Sequence, residues 1–85
     1  MTKLTSLLNI GKAIEAKLES VDITTAEELK SIGSREAFVR LKTQYPNICI
    51  VYLYSLEGAV TNNEYNQLSD DVKLSLKEFN DNLTK

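Results

Sequence analysis

Ile48-Cys-Ile-Val-Tyr-Leu-Tyr54, running on into Ser55-Leu-Glu-Gly-Ala-Val60, is the stretch on which the fold turns. By composition its first part reads as a β-strand, because β-branched and aromatic side chains pack well on a pleated surface. Yet Cys49, Tyr52, Leu53, Leu56, Ala59 and Val60 also recur at helical spacing. Two considerations decide between the readings. Strands usually stop after about four to eight residues, and this run is longer. A strand also needs a partner, and no other segment of the chain offers one. The stretch is therefore predicted to be a central helix, apolar nearly all round because it is buried on most sides. Gly58 near its end is expected to let another helix approach closely, which offsets the poor helix propensity of glycine.

Helical signals continue on both sides. Upstream, Ala37, Phe38, Leu41 and Tyr45 form one stripe of a helix that starts around Ser34. Pro46 ends it, since the residue before proline is pushed out of helical geometry. Before that, Thr25-Ala-Glu-Glu28 has the form of a capping box, with Thr24 as a rival cap, and Gly33 supplies the stop. Ile10, Ala13, Ile14, Leu18 and Val21 share one face of an earlier helix, and Leu4, Leu7 and Leu8 suggest a short opening helix ending near Asn9. Downstream, Thr61-Asn-Asn63 reads as a turn and Tyr65 and Leu68 as anchors of the following link. Ser69-Asp-Asp71 then opens a last helix with the stripe Leu68, Val72, Leu76, Phe79 and Leu83. The expected architecture is all-α, a compact bundle of five to seven short helices forming one domain over residues 1–85.

Composition narrows the function. The 85 residues are 42% hydrophobic and 26% charged, an ordinary globular balance. Ten Lys and Arg against twelve Asp and Glu give a net charge of −2, unlike the strongly basic footprint of a protein that lives on phosphate backbones. The charge is uneven: residues 1–45 carry seven basic and six acidic side chains, residues 46–85 three and six. Any anion-facing surface is thus expected in the first half. The chain contains no His, the commonest general base and metal ligand. Its one cysteine, Cys49, sits in an apolar run with no basic neighbour in sequence, so it is expected to be an inert buried thiol. Asp70 and Asp71 read as helix-start charges. Catalytic residues, metal ligands, a cofactor and a small-molecule substrate are therefore not expected. No stretch approaches the roughly 20 apolar residues of a membrane span, and the opening residues lack the form of a secretory signal. A reduced, cytoplasmic setting is the expectation.

Two surfaces are candidates for contact. Leu8-Asn-Ile-Gly-Lys-Ala-Ile-Glu-Ala-Lys-Leu18, followed by Ile23-Thr-Thr-Ala-Glu-Glu-Leu29, resembles the helix-hairpin-helix motif of nucleic-acid-binding proteins. In that motif a glycine-bearing turn aims backbone N–H groups at a phosphate, as any helix N-terminus can. Gly11 would admit the phosphate and Lys12 would add charge, with Lys17, Arg35 and Arg40 as further cations if they share a face. The match is partial, because such turns usually carry two glycines and Asn9 stands at the first. A weaker echo is Ser31-Ile-Gly-Ser-Arg35. The bland reading makes Ile10-Gly11 and Ile32-Gly33 a helix–helix turn and a helix stop. The second surface is a protein-contact patch around Tyr52, Tyr54 and Glu57, with Tyr54 expected to remain exposed. Glu57, in the most apolar helix, is expected either at the rim or paired with Arg35 or Arg40. DNA, a protein partner and a second copy of the chain are the partners these surfaces would serve; a homodimer would also enlarge a small core.

Taken in order, LLNIGKAIEAKL, ITTAEELKSIGSREAFVRL, NICIVYLYSLEGAV and YNQLSDDVKLSLKEF resemble the C-terminal domain of the bacterial competence regulators of the TfoX (Sxy) family. The most specific pieces are Ile10-Gly11, Leu29 to Gly33, Leu56-Glu-Gly-Ala59 and Leu68. The resemblance implies an all-α, helix-hairpin-helix-like domain of a bacterial cytoplasmic protein. It also implies a link to regulation of DNA-uptake genes and no catalytic residues. In longer members this domain follows a separate N-terminal domain that residues 1–85 do not contain, so the regulatory role is an expectation drawn from two-domain proteins.

Overall fold

Ile50–Thr61 is a helix, the fourth of five among the described residues, but the helix that touches all the others is the third, Ser34–Gln44. The computed structural model describes residues 2–83. In chain order the helices are α1 (Lys12–Glu19), α2 (Ala26–Ile32), α3 (Ser34–Gln44), α4 (Ile50–Thr61) and α5 (Asp70–Leu83), with single 3-10 turns at Leu4–Ser6 and Tyr65–Gln67. No strand occurs among the described residues; Lys3 and Thr25 form an isolated antiparallel bridge. Helix α4 packs against α3, α5 and the second 3-10 turn, while α1 and α2 pack on α3 and the first turn. The Cα radius of gyration is 11.8 Å, against about 12 Å expected for a compact chain of this length.

The apolar pattern explains the packing. Phe38, Leu41, Leu53, Leu56 and Leu76 have no exposed surface, and Leu4, Leu18, Ile23 and Leu29 close the core from the N-terminal side. The opening helix is shorter than expected: Leu4 is buried in a 3-10 turn, but Leu8 is 41% exposed. Helix α1 begins only after Gly11, so Ile10 reaches the core from the turn and Ala13 faces solvent.

Local chemistry sets the boundaries. Thr25 Oγ1 accepts the Glu28 N–H at 3.1 Å, as a capping threonine should. The returning contact differs from the usual box: Glu28 accepts from the N–H and hydroxyl of Thr24, at 3.2 and 2.6 Å. Both threonines thus share the cap. Gly33 closes α2 and opens α3 at once, with φ 89°, a conformation that strains any residue with a Cβ. Tyr45, ahead of Pro46, leaves helical geometry at φ −127° and ψ 82°. Asn62 ends α4 in left-handed geometry at φ 62°. Ser69 Oγ accepts the Val72 N–H at 3.3 Å, and Asp70 and Asp71 sit at the positive end of α5.

Candidate functional site

The turn before α1 is the first place to look. Asn9 takes φ 70°, so the left-handed geometry that glycine would serve is present. Its amide points into the protein: Nδ2 donates to the Asn63 carbonyl at 2.9 Å and more weakly to the Ser55 carbonyl at 3.5 Å, and Oδ1 accepts the Tyr65 N–H at 3.2 Å. One side chain thus stitches the turn to α4 and to the link after it. Gly58 lies beneath this seam. A Cβ there would collide with the Asn63 carbonyl oxygen and the Asn9 amide nitrogen. The close approach expected at Gly58 is therefore made by this polar seam rather than by another helix.

Gly11 behaves differently. Its backbone is extended, φ −92° and ψ −179°, and nothing lies within 4 Å of where a Cβ would stand. Neither its conformation nor its packing requires glycine. The turn opens onto a surface concavity of about 500 Å³ lined by Lys3, Thr5, Gly11, Lys12, Glu15 and Glu19 among others, so two ammonium groups share it with two carboxylates.

The remaining cations lie elsewhere. Lys17 stands over the Tyr45 ring, 4.8 Å from its centroid. Arg35 donates to Ser75 Oγ at 3.1 Å, and Arg40 pairs with Glu36 at 3.5 Å. Lys12 and Lys17 are five residues apart on α1, as are Arg35 and Arg40 on α3. That spacing turns each pair about 140° around its helix axis. Gly11 and Lys12 are brought together; Lys17, Arg35 and Arg40 do not join them.

The residues around Tyr52 also separate. Tyr52 is half-buried and lines a groove of about 510 Å³ with Lys17, Tyr45, Pro46, Ile48 and Cys49. Tyr54 is half-buried as well and packs on the core, so it is not the exposed tyrosine; Tyr65 is, at 44%. Two residues apart on a helix, Tyr52 and Tyr54 point about 160° apart. Glu57 pairs with neither arginine: it accepts the Ser34 hydroxyl at 2.5 Å, at the first residue of α3. Cys49 is exposed, contrary to expectation, because α4 starts at Ile50 and leaves Cys49 outside its first turn as the N-cap. Among the described residues no group of His, Cys, Asp and Glu could hold a metal ion. Nor, among the described residues, is any helix long and apolar enough to cross a membrane.

The shifted acids lie on α2, and one of them, Glu28, bonds Thr24 at the edge of the hairpin concavity. The Thr2 hydroxyl and N–H donate to Glu27 at 2.7 and 2.9 Å. These bonds, the hydroxyl first, hold its pKa down from 4.5 to about 2. Glu28 is lowered in the same sense, chiefly by the Thr24 hydroxyl. A depressed carboxylate stabilises the fold fully above its unfolded pKa and loses that contribution as pH falls through the folded value. Denaturant midpoints measured from pH 5 to pH 2 should therefore fall with pH, and Glu27→Gln should flatten the part between 4.5 and about 2.

The model of the TfoX C-terminal domain family matches residues 1–80. Two solved structures from Listeria monocytogenes are similar over nearly the whole chain. An uncharacterized protein in a triclinic crystal form is 40% identical, with a TM-score of 0.94 over 98% of this chain and 94% of its own. A protein of unknown function in a tetragonal form is 40% identical, with a TM-score of 0.91 over 93% of this chain and 98% of its own. No curated protein matches the chain.

Proposed function

The chain belongs to the TfoX C-terminal domain family, and we propose that it is a non-enzymatic regulatory module acting by contact with a protein partner rather than by clamping DNA through its hairpin. The observation that carries this reading is the dispersal of the cations: Lys12 shares its concavity with Glu15 and Glu19, while Lys17, Arg35 and Arg40 serve other neighbours. The turn also has a structural use of its own, since the Asn9 amide, at a position where such hairpins usually carry glycine, is bonded to Ser55, Asn63 and Tyr65. Affinity for a duplex rests on several phosphates neutralised together, and scattered cations supply that poorly. The regulatory role follows from the family; the link to competence genes in a bacterial cytoplasm is part of the same proposal.

The test is fluorescence anisotropy against a labelled mixed-sequence duplex. At about 50 mM salt, where phosphate contacts are strongest, no saturable binding is expected. Binding that weakens steeply with salt, and that is lost when Gly11→Asp and Lys12→Glu are combined, would overturn the proposal and restore the hairpin as a DNA clamp.

A further inference from the structure

We propose that the groove between α1 and the start of α4 is the docking site for a partner segment that sets an apolar anchor beside a carboxylate. The inference rests on the protein-contact reading above and names the chemistry of the partner. The groove, about 510 Å³, is floored by Ile48, 8% exposed, and walled by Tyr45, Pro46 and Tyr52. An apolar surface of this kind rewards an aliphatic or aromatic side chain. The two rings have few rotamers to lose when a partner settles on them.

Charge selects the rest of the partner. No carboxylate lines this groove, and Lys17 stands in it with its ammonium group already placed over Tyr45. The concavity at the hairpin sets Lys3 and Lys12 against Glu15 and Glu19, and a third, near the end of α1, sets Arg40 against Asp22 and Glu36. Of the three, only the Tyr52 groove presents uncompensated positive charge, on a chain whose net charge is −2. Gln44 and Asn47 add amide donors at the same rim. An acidic segment therefore meets complementary potential here, while a basic one is repelled. Because the Tyr45 ring holds Lys17, less side-chain freedom is lost on binding. One cation beside an apolar floor does not fit a run of phosphates.

The test is a titration of the 15N-labelled domain with the N-acetylated peptide amide Leu-Phe-Glu-Gly, and with versions carrying Gln or Lys in place of Glu. The expected result is saturable movement of amides 44–52 by the Glu peptide at concentrations up to about 5 mM. Binding should be about threefold weaker for the Gln peptide and weaker again for the Lys peptide. Lys17→Glu should reverse that order and Lys17→Gln should level it, each with the remaining spectrum unchanged. Equal binding of the three peptides, no saturable movement, or movement centred on residues 9–14 would overturn the proposal. So would groove shifts that follow protein concentration without peptide, which would assign the groove to a second copy. A domain that binds neither peptide nor duplex loses this inference and keeps the protein-contact reading; one that binds the duplex at Gly11 and Lys12 loses that reading.

Discussion

Gly58→Ala is expected to destabilise the domain by about 1–3 kcal/mol, the usual cost of forcing a methyl group into a packed site. The sign is the informative part. At an exposed helical position the same change would stabilise by about 1 kcal/mol, because alanine is the better helix former. Here the new Cβ would meet the Asn63 carbonyl and the Asn9 amide. The first belongs to the backbone of the link after α4, so relief requires that link to move and give up its bond with Asn9. Urea unfolding of the variant measures the cost. A stabilised variant would mean that the link yields freely and that the seam is loose.

Asn9→Gly is the second large effect. Glycine accepts φ 70° without strain, so the substitution removes the amide while leaving the turn its geometry. Two well-formed hydrogen bonds and one long one are lost, at about 1 kcal/mol for each good bond. Glycine also has more freedom to lose on folding, about 0.5–1 kcal/mol. A total loss of about 2–4 kcal/mol follows, a large share of the roughly 5–15 kcal/mol that holds a typical domain. Asn9→Ala should cost more still, because alanine in left-handed geometry adds about 1–2 kcal/mol. The two sites are coupled: in an Asn9→Gly background Gly58→Ala meets one obstacle instead of two, so the losses should sum to less than their separate values.

Much of this fold is legible in the chain because its signals are local. Thr25 and Glu28, Gly33, and Tyr45 before Pro46 each mark a helix boundary through neighbours no more than four residues away. The identity of α4 follows from the length of its apolar run and the lack of a strand to pair with it. The site is less legible because its contacts are distant in sequence. Asn9 meets partners 46 to 56 residues away, and Arg35 reaches Ser75, 40 residues on. Nothing near Asn9 says that its amide turns inward, although a non-glycine residue at a glycine position of the hairpin is the clue. Cys49 reads as core by periodicity and is exposed because α4 begins one residue later. The groove by Tyr52 needs Lys17 of α1 brought to the link between α3 and α4; its sequence trace is that short link around Pro46 with a tyrosine on either side.

The claim that the turn before α1 is a structural seam and not a phosphate clamp is tested most directly by Asn9→Gly itself. This variant restores the second glycine that a nucleic-acid hairpin usually carries. Duplex anisotropy and urea unfolding should be measured together on the variant and the wild type. The account predicts a less stable domain that still shows no saturable duplex binding at about 50 mM salt. A variant of undiminished stability that binds the duplex, with an affinity falling steeply as salt rises, would contradict it.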